Sequence, residues 1–208
     1  MISKKILLLL IAFSFSNNFS AANSAEEQFD ILFSWLHSFT SLSGAFKQTQ
    51  SRAYDGVSAE STGEFKGLKP NFFMWHQITP DDQLVISDVE FIWHYDKDLE
   101  TVARRKISDQ MASLQLLLGD STSIKNEYSI FLPNTGDYHL TPRNPHSNFQ
   151  MIRLYFTKHE LSQIRIIDRI GHELIIELSD LQYNPSLTAE DFVINASENA
   201  EFLYDENF

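Results

Sequence analysis

The sequence predicts an α+β protein dominated by one antiparallel β-sheet curled into a barrel-like shape. Three observations carry that expectation. Apolar and polar residues alternate with a period of two through many short runs, turn signals punctuate those runs, and only two segments break the pattern with helical spacing.

The chain opens with Lys4 and Lys5 ahead of an apolar run from Ile6 to Phe15, and small residues follow as far as Ser20-Ala21-Ala22. This is the order of a secretory signal peptide. An apolar run of about ten residues is too short for the roughly 20 that span a bilayer. Residues 1–22 are therefore expected to be removed in export, with cleavage after Ala22, leaving 23–208 as a single domain. An amphipathic helix comes next, over Ala25 to Gln48, with Phe29, Leu32, Phe33, Leu36 and Phe39 at helical spacing. Glu26 and Glu27 stand where a helix N-terminus favours negative charge.

Ten strands are expected after it: Gly63 to Leu68, Phe72 to Gln77, Leu84 to Ser87, Phe91 to Tyr95, Tyr128 to Leu132, Asp137 to Thr141, Phe149 to Phe156, Leu161 to Asp168, Glu173 to Leu178 and Phe192 to Asn195. Turns such as Thr79-Pro80-Asp81-Asp82 and Pro133-Asn134-Thr135-Gly136 separate them. Short strands in meander order with little helix between them argue for one curled antiparallel sheet. Midway, Ile107, Met111, Leu114, Leu117 and Leu118 return to helical spacing and Gly119 supplies a stop. A short apolar helix inside a meander must lie on something, and the concave face of the sheet is the expected place.

Composition narrows the function classes. The formal net charge is −12 and becomes more negative once Lys4 and Lys5 are removed, which makes nucleic acid and anionic lipid surfaces poor partners. The chain has no cysteine, so disulfides, zinc thiolate sites, catalytic thiols and a lipid-bearing cysteine are all excluded, and a soluble exported protein is expected.

Catalytic patterns fail on inspection. His172-Glu173 begins like a zinc-protease motif, but Ile176 stands where the second histidine ligand belongs. Gly56-Val57-Ser58 begins a nucleophile elbow that ends in Glu60, and Gly119-Asp120-Ser121 has no histidine and acid in matching context. Neither an enzyme nor a metal or cofactor site is expected.

The aromatic residues raise a different possibility. Seventeen phenylalanines, seven tyrosines and three tryptophans are an unusual stock for one domain. Phe73 and Trp75 share one face of their strand, and Phe91, Trp93 and Tyr95 share one face of theirs. Such residues form either an ordinary core or the lining of a cavity. A curved sheet with only two helices has little to fill its concave face, which favours a cavity.

The chain resembles the LolA family of periplasmic outer-membrane lipoprotein carriers. The residues that carry the resemblance are Leu42-Ser43-Gly44-Ala45-Phe46-Lys47-Gln48, Gly63-Glu64-Phe65, Lys69-Pro70-Asn71-Phe72-Phe73-Met74-Trp75, the stretch from Pro80 to Asp88, Trp93-His94-Tyr95-Asp96-Lys97-Asp98-Leu99-Glu100-Thr101-Val102, and Leu114-Gln115-Leu116-Leu117-Leu118-Gly119. Their order and spacing follow the family from Ala25 to about Gly119; beyond it the strand pattern alone agrees.

The resemblance implies an incomplete, half-open β-barrel whose hydrophobic cavity is covered by helices. It implies a monomeric periplasmic carrier that accepts the acyl chains of lipoproteins from an inner-membrane ABC transporter and delivers them to the outer-membrane receptor LolB or an equivalent. The expected acyl-chain-binding residues are Phe73, Trp75, Phe91, Trp93, Tyr95, Met111, Leu114, Leu117 and Leu118. A carrier or sensor for another acylated or lipid ligand is the alternative.

Three departures from the family pattern matter. Lys69 occupies the place of an arginine that, in the family, holds the lid helix shut by bonding its backbone carbonyls. Lys69 is therefore the expected lid latch, acting on the helix that carries Leu114, Leu117 and Leu118, although lysine lacks the planar fork of arginine. Val89 and Glu90 stand where the family tends to have glycine, so that hairpin must be built differently. The tail from Ala196 to Phe208 lacks the family's proline and glycine punctuation, which leaves its role open.

Overall fold

The computed structural model describes residues 32–52, 56–88, 90–106, 118 and 121–204. The expected signal segment, Phe29 at the start of the first helix, and Met111, Leu114, Leu117 and Gly119 lie outside the described residues.

Helix α1 is described over residues 32–37. Strands β1 Ser41–Ser51, β2 Ser58–Leu68, β3 Phe72–Thr79, β4 Gln83–Ser87, β5 Phe91–Asp96 and β6 Thr101–Lys106 follow. A second helix, α2 Ser121–Glu127, leads into β7 Tyr128–Asn134, β8 Asp137–Pro142, β9 Phe149–Thr157, β10 Glu160–Asp168 and β11 Glu173–Tyr183. A 3-10 turn, Ala189–Phe192, precedes the last strand, β12 Glu201–Tyr204. All twelve strands form one sheet in the order β12-β6-β5-β4-β3-β2-β1-β11-β10-β9-β8-β7. Two antiparallel meanders, β2–β6 and β7–β11, are thus joined by β1, and β7 and β12 are the two edges of an open sheet.

The mainly antiparallel architecture agrees with the sequence reading, with four corrections. The first helix does not run to Gln48: it ends at His37, and Ser41–Ser51 is a strand paired with β2 on one side and β11 on the other. Past Phe39 the helical spacing stops, and Gly44 would cost a helix about 1 kcal/mol, so two ladders win over a weak local preference. Phe192–Asn195 is not a strand; Phe192 closes the 3-10 turn, whose first residues are capped by the Asp191 carboxylate accepting from Thr188 N–H. The alternation reading missed β6 and β12, and β12 pairs parallel to β6, the one parallel pairing among the described residues. The short helix α2 also went unrecognised.

The register sorts the apolar residues onto two faces. Residues directly opposite in an antiparallel pair point to the same side. Phe65 faces Trp75, Gly67 faces Phe73, and Phe46 faces Gly63, so Phe46, Phe65, Phe73 and Trp75 share the inner face with α1. The same side of the second meander carries Tyr138, Leu140, Ile152, Leu154, Ile164 and Ile176, which join α1 residues Leu32, Phe33, Trp35 and Leu36 in the main core. A second, smaller core lies on the outer face, where Met74 and Ile86 pack with Phe192, and Leu187 and Ile194 lie against them. The chain after β11 therefore covers the outside of β3 and β4. This explains the unbroken apolar run Phe72-Phe73-Met74-Trp75: a strand buried on both faces needs no polar alternate.

Candidate functional site

The site is built on β2. Its glycines leave two gaps in the inner face. At Gly63 a Cβ would come within 2.8 Å of the Phe46 ring, so the bare backbone lets that ring cross β2 toward β3. There Phe46 stacks on Trp75 with ring centroids 3.6 Å apart and planes 20° from parallel. Phe73 and Phe65 flank Trp75 at 6.1 and 6.2 Å, also stacked. At Gly67 a Cβ would meet Leu118 Cδ2 at 2.6 Å, so Leu118 fills the place where a side chain would stand. The face expected to be a cavity is occupied by the protein's own aromatic and aliphatic side chains.

Helix α1 closes over this face. Lys69, in the turn between β2 and β3, donates from Nζ to the carbonyl oxygen of Leu36 and sits 4.0 Å from the centroid of Phe39. Its backbone N–H also donates to Thr40 O at 2.8 Å. Burial lowers the Lys69 pKa from the usual lysine value, because the ammonium has lost part of its hydration. Among the described residues the acceptor is in α1, an element the sequence reading did not name as a partner of the latch. On the other side of α1, Trp35 Nε1 donates to Tyr183 Oη at 3.1 Å, and the Trp35 ring meets Phe39 and Phe156 edge to face.

The expected acyl-chain-binding residues do not form one set. The β3–β4 register pairs Phe73 with Ser87 and Trp75 with Val85, while β4–β5 pairs Ser87 with Ile92, Ile86 with Trp93 and Leu84 with Tyr95. Phe91, Trp93 and Tyr95 therefore stand on the outer face, away from Phe73 and Trp75. They cannot line the same cavity. On that outer face the Arg104 guanidinium lies 4.5 Å from the Phe91 ring, 5.5 Å from Trp93 and 4.7 Å from Tyr204. Tyr95 Oη accepts from Ser197 N–H, which ties down the returning tail. Of the expected set, Phe73, Trp75 and Leu118 meet on the inner face, and Met111, Leu114 and Leu117 lie outside the described residues.

Asp88 explains the register. Its Oδ1 accepts from the backbone N–H of Glu90 and Phe91, each at 2.7 Å, and its Oδ2 accepts from Trp93 Nε1 at 3.0 Å. The hairpin is held by a carboxylate in place of the family's glycine turn. Burial works to raise the Asp88 pKa, but these donors and nearby Arg104 outweigh it and leave the group below its ordinary value. Sequence reasoning missed Phe46, Phe65, Trp35 and Tyr183 as members of the inner-face site. The helical spacing before Ser41 hides Phe46, and nothing local to Trp35 or Tyr183 shows that residues so far apart in sequence will touch.

An open antiparallel sheet with α1 on its aromatic inner face is a fold shared with solved proteins. A LolA superfamily protein from Nitrosomonas europaea superposes with a TM-score of 0.51 at 10% identity, covering 82% of this chain and 98% of that one. A conserved protein from Thermus thermophilus superposes with a TM-score of 0.53 at 13% identity, covering 88% and 99%. These likenesses define the fold class. The family follows from sequence: the model for the outer membrane lipoprotein carrier protein LolA matches residues 37–195, and the chain belongs to the LolA family. An outer-membrane lipoprotein carrier protein of Azotobacter vinelandii is 28% identical over 202 residues, which is 95% of this chain and 97% of the relative. That of Coxiella burnetii is 27% identical over 203 residues, 95% of each chain.

Proposed function

We propose that this protein carries the acyl chains of lipoproteins through the periplasm, sheltering them on the inner face between α1 and the strands that bear Phe46, Phe65, Phe73 and Trp75. Cargo would come from an ABC transporter in the inner membrane and pass to an outer-membrane receptor. One observation carries the reading: a cluster of stacked aromatic rings lies under a helix that the Lys69 side chain fastens from the β2–β3 turn. Family membership supports the lipoprotein carrier role.

The physical need for such a face is clear from magnitudes. Each buried methylene is worth roughly 0.8 kcal/mol, so an acyl chain of about fifteen methylenes leaves a membrane at a cost of about 12 kcal/mol. An apolar face of comparable extent offsets that cost without chemistry, so the reading calls for no catalytic residue. Because the inner face is filled when empty, its own contacts must yield to cargo. A ligand shifts such an equilibrium only by its differential affinity for the two states, which limits the closed state to an advantage of a few kcal/mol.

The test is to purify the exported protein from its own periplasm, extract it, and identify bound molecules by mass spectrometry. Acylated polypeptides should be recovered, and the purified protein should release a lipoprotein from transporter-bearing vesicles into solution. Recovery of no acylated molecule, together with no release, would rule the carrier reading out.

A further inference from the structure

Helix α1 is fastened unequally to the two halves of the sheet. On the β7–β11 half, four side chains hold it. Tyr183, the last residue of β11, accepts from the Trp35 indole and lies 5.9 Å from the Phe39 ring. Phe156 of β9 meets Trp35 at 5.3 Å with the ring planes 83° apart. The Tyr138 hydroxyl of β8 is hydrogen-bonded to the backbone of Leu32, and Lys125 Nζ of α2 lies 4.3 Å from the Phe33 ring centroid. The segment that leaves α1 is tied to the same side, because Asn184 Oδ1 accepts from Thr40 N–H at 2.8 Å and Asn184 N–H donates to Ser41 O at 2.8 Å.

The β2–β6 half holds α1 differently. Among the described residues a polar tie from this half is Lys69, a flexible chain whose ammonium reaches the Leu36 carbonyl. Phe65 and Trp75 of this half share the main core with α1, and apolar contacts are those that an acyl chain can replace in kind. Directional hydrogen bonds set in buried rings cannot be replaced so. Trp35, only 7% exposed, would leave a buried indole donor without a partner if it moved off Tyr183.

We propose that Tyr183 is the positioning residue that keeps α1 on the β7–β11 half, so that acyl chains enter between α1 and the β2–β4 half, with the Lys69 tie parting first. This rests on the carrier reading above. It adds a direction of opening, and it separates two roles: Tyr183 stays engaged in the loaded protein while Lys69 does not.

The three tryptophans make this measurable in the intact protein. In a proton–nitrogen correlation spectrum each indole N–H gives one signal, assigned by single Trp→Phe variants. Tyr183→Phe should move the Trp35 signal of the empty protein and leave those of Trp75 and Trp93 in place. A synthetic lipopeptide bearing palmitoyl chains should then move the Trp75 signal of the wild type while the Trp35 signal holds. Release of the lipopeptide should quicken about fivefold in Tyr183→Phe, the loss expected for one ordinary hydrogen bond. Trp35→Phe removes the same bond from its other end, and the double variant should release no faster than Trp35→Phe alone.

Movement of the Trp35 signal as large as that of Trp75 on loading would overturn the proposal, as would additive effects of the two variants. If equilibrium dialysis shows that the lipopeptide does not bind the wild type at all, it is the carrier reading that falls, and the direction of opening falls with it.

Discussion

Leu118 occupies the space above Gly67 on the inner face, so closely that a Cβ at residue 67 would lie 2.6 Å from Leu118 Cδ2. Leu118 is thus seated on β2 by the absence of a side chain. Gly67→Val should push Leu118 off this seat. Because the displaced atom is the end of a flexible side chain, the fold should survive, with a loss on the order of 1–3 kcal/mol in chemical denaturation. Limited proteolysis should then cleave beside Leu118 sooner than in the wild type. Unchanged cleavage would show that the seat at Gly67 does not hold Leu118.

The two faces of the sheet predict opposite outcomes for two tryptophans. Trp75→Leu should weaken binding of a fluorescent fatty-acyl probe several-fold, because it removes the ring that stacks on Phe46. Trp93→Phe removes an indole that donates to Asp88 on the outer face and should leave probe affinity unchanged. Equal losses in both, measured by titration, would contradict the assignment of the site to the inner face.

Lys69→Met keeps most of the aliphatic reach and removes the donor to Leu36. A hydrogen bond from a charged donor contributes about 1.5–3 kcal/mol, and less where water reaches it. Amide exchange over residues 32–37 should therefore speed up by a factor of about ten or less, with the melting temperature lowered by only a few degrees. Transfer of a loaded lipoprotein to an outer-membrane receptor should slow, since an opened helix no longer helps expel cargo.

Asp88 gives the protein a pH dependence. Its folded pKa lies below the ordinary value, so its stabilising contribution is complete above the unfolded pKa of about 3.9 and disappears as pH falls through the lower folded value. Asp88→Asn should be less stable than the wild type at neutral pH. The difference should shrink as unfolding is measured below about pH 4. A gap that stays constant with pH would mean that the carboxylate charge contributes nothing to this hairpin.

Phe192, 4% exposed, anchors the tail against Met74 and Ile86 on the outer face. Phe192→Ala should cost about 3–5 kcal/mol. Loosening of the tail should also release β12 from β6, seen as rapid exchange of amides 201–204. Acyl-probe affinity per folded molecule should be unaffected, because no inner-face residue depends on this contact.

How much of this was legible in the chain depends on which interactions are local. Strand alternation located β2 to β5 and β7 to β11 to within a few residues, because a half-buried strand imposes its period on the sequence. It failed where that imposition is absent. β6, with Arg104-Arg105-Lys106, and β12, with four exposed residues, have little alternation to read. β1 was hidden by the helical spacing just before it.

The sequence by itself determined the antiparallel class, the aromatic-rich strand of Phe73 and Trp75 and the family pattern. Only the tertiary structure decided which of those aromatics meet. Alternation fixes which residues of one strand share a face, but the relation between strands depends on register, and a shift of one residue turns every side chain over. The turn at Asp88 sets Ser87 opposite Ile92, and that single choice sends Phe91, Trp93 and Tyr95 outward. In the same way, the acceptor for Lys69 and the meeting of Trp35 with Tyr183 follow from β1 lying between β2 and β11, a pairing of distant segments that no local pattern encodes.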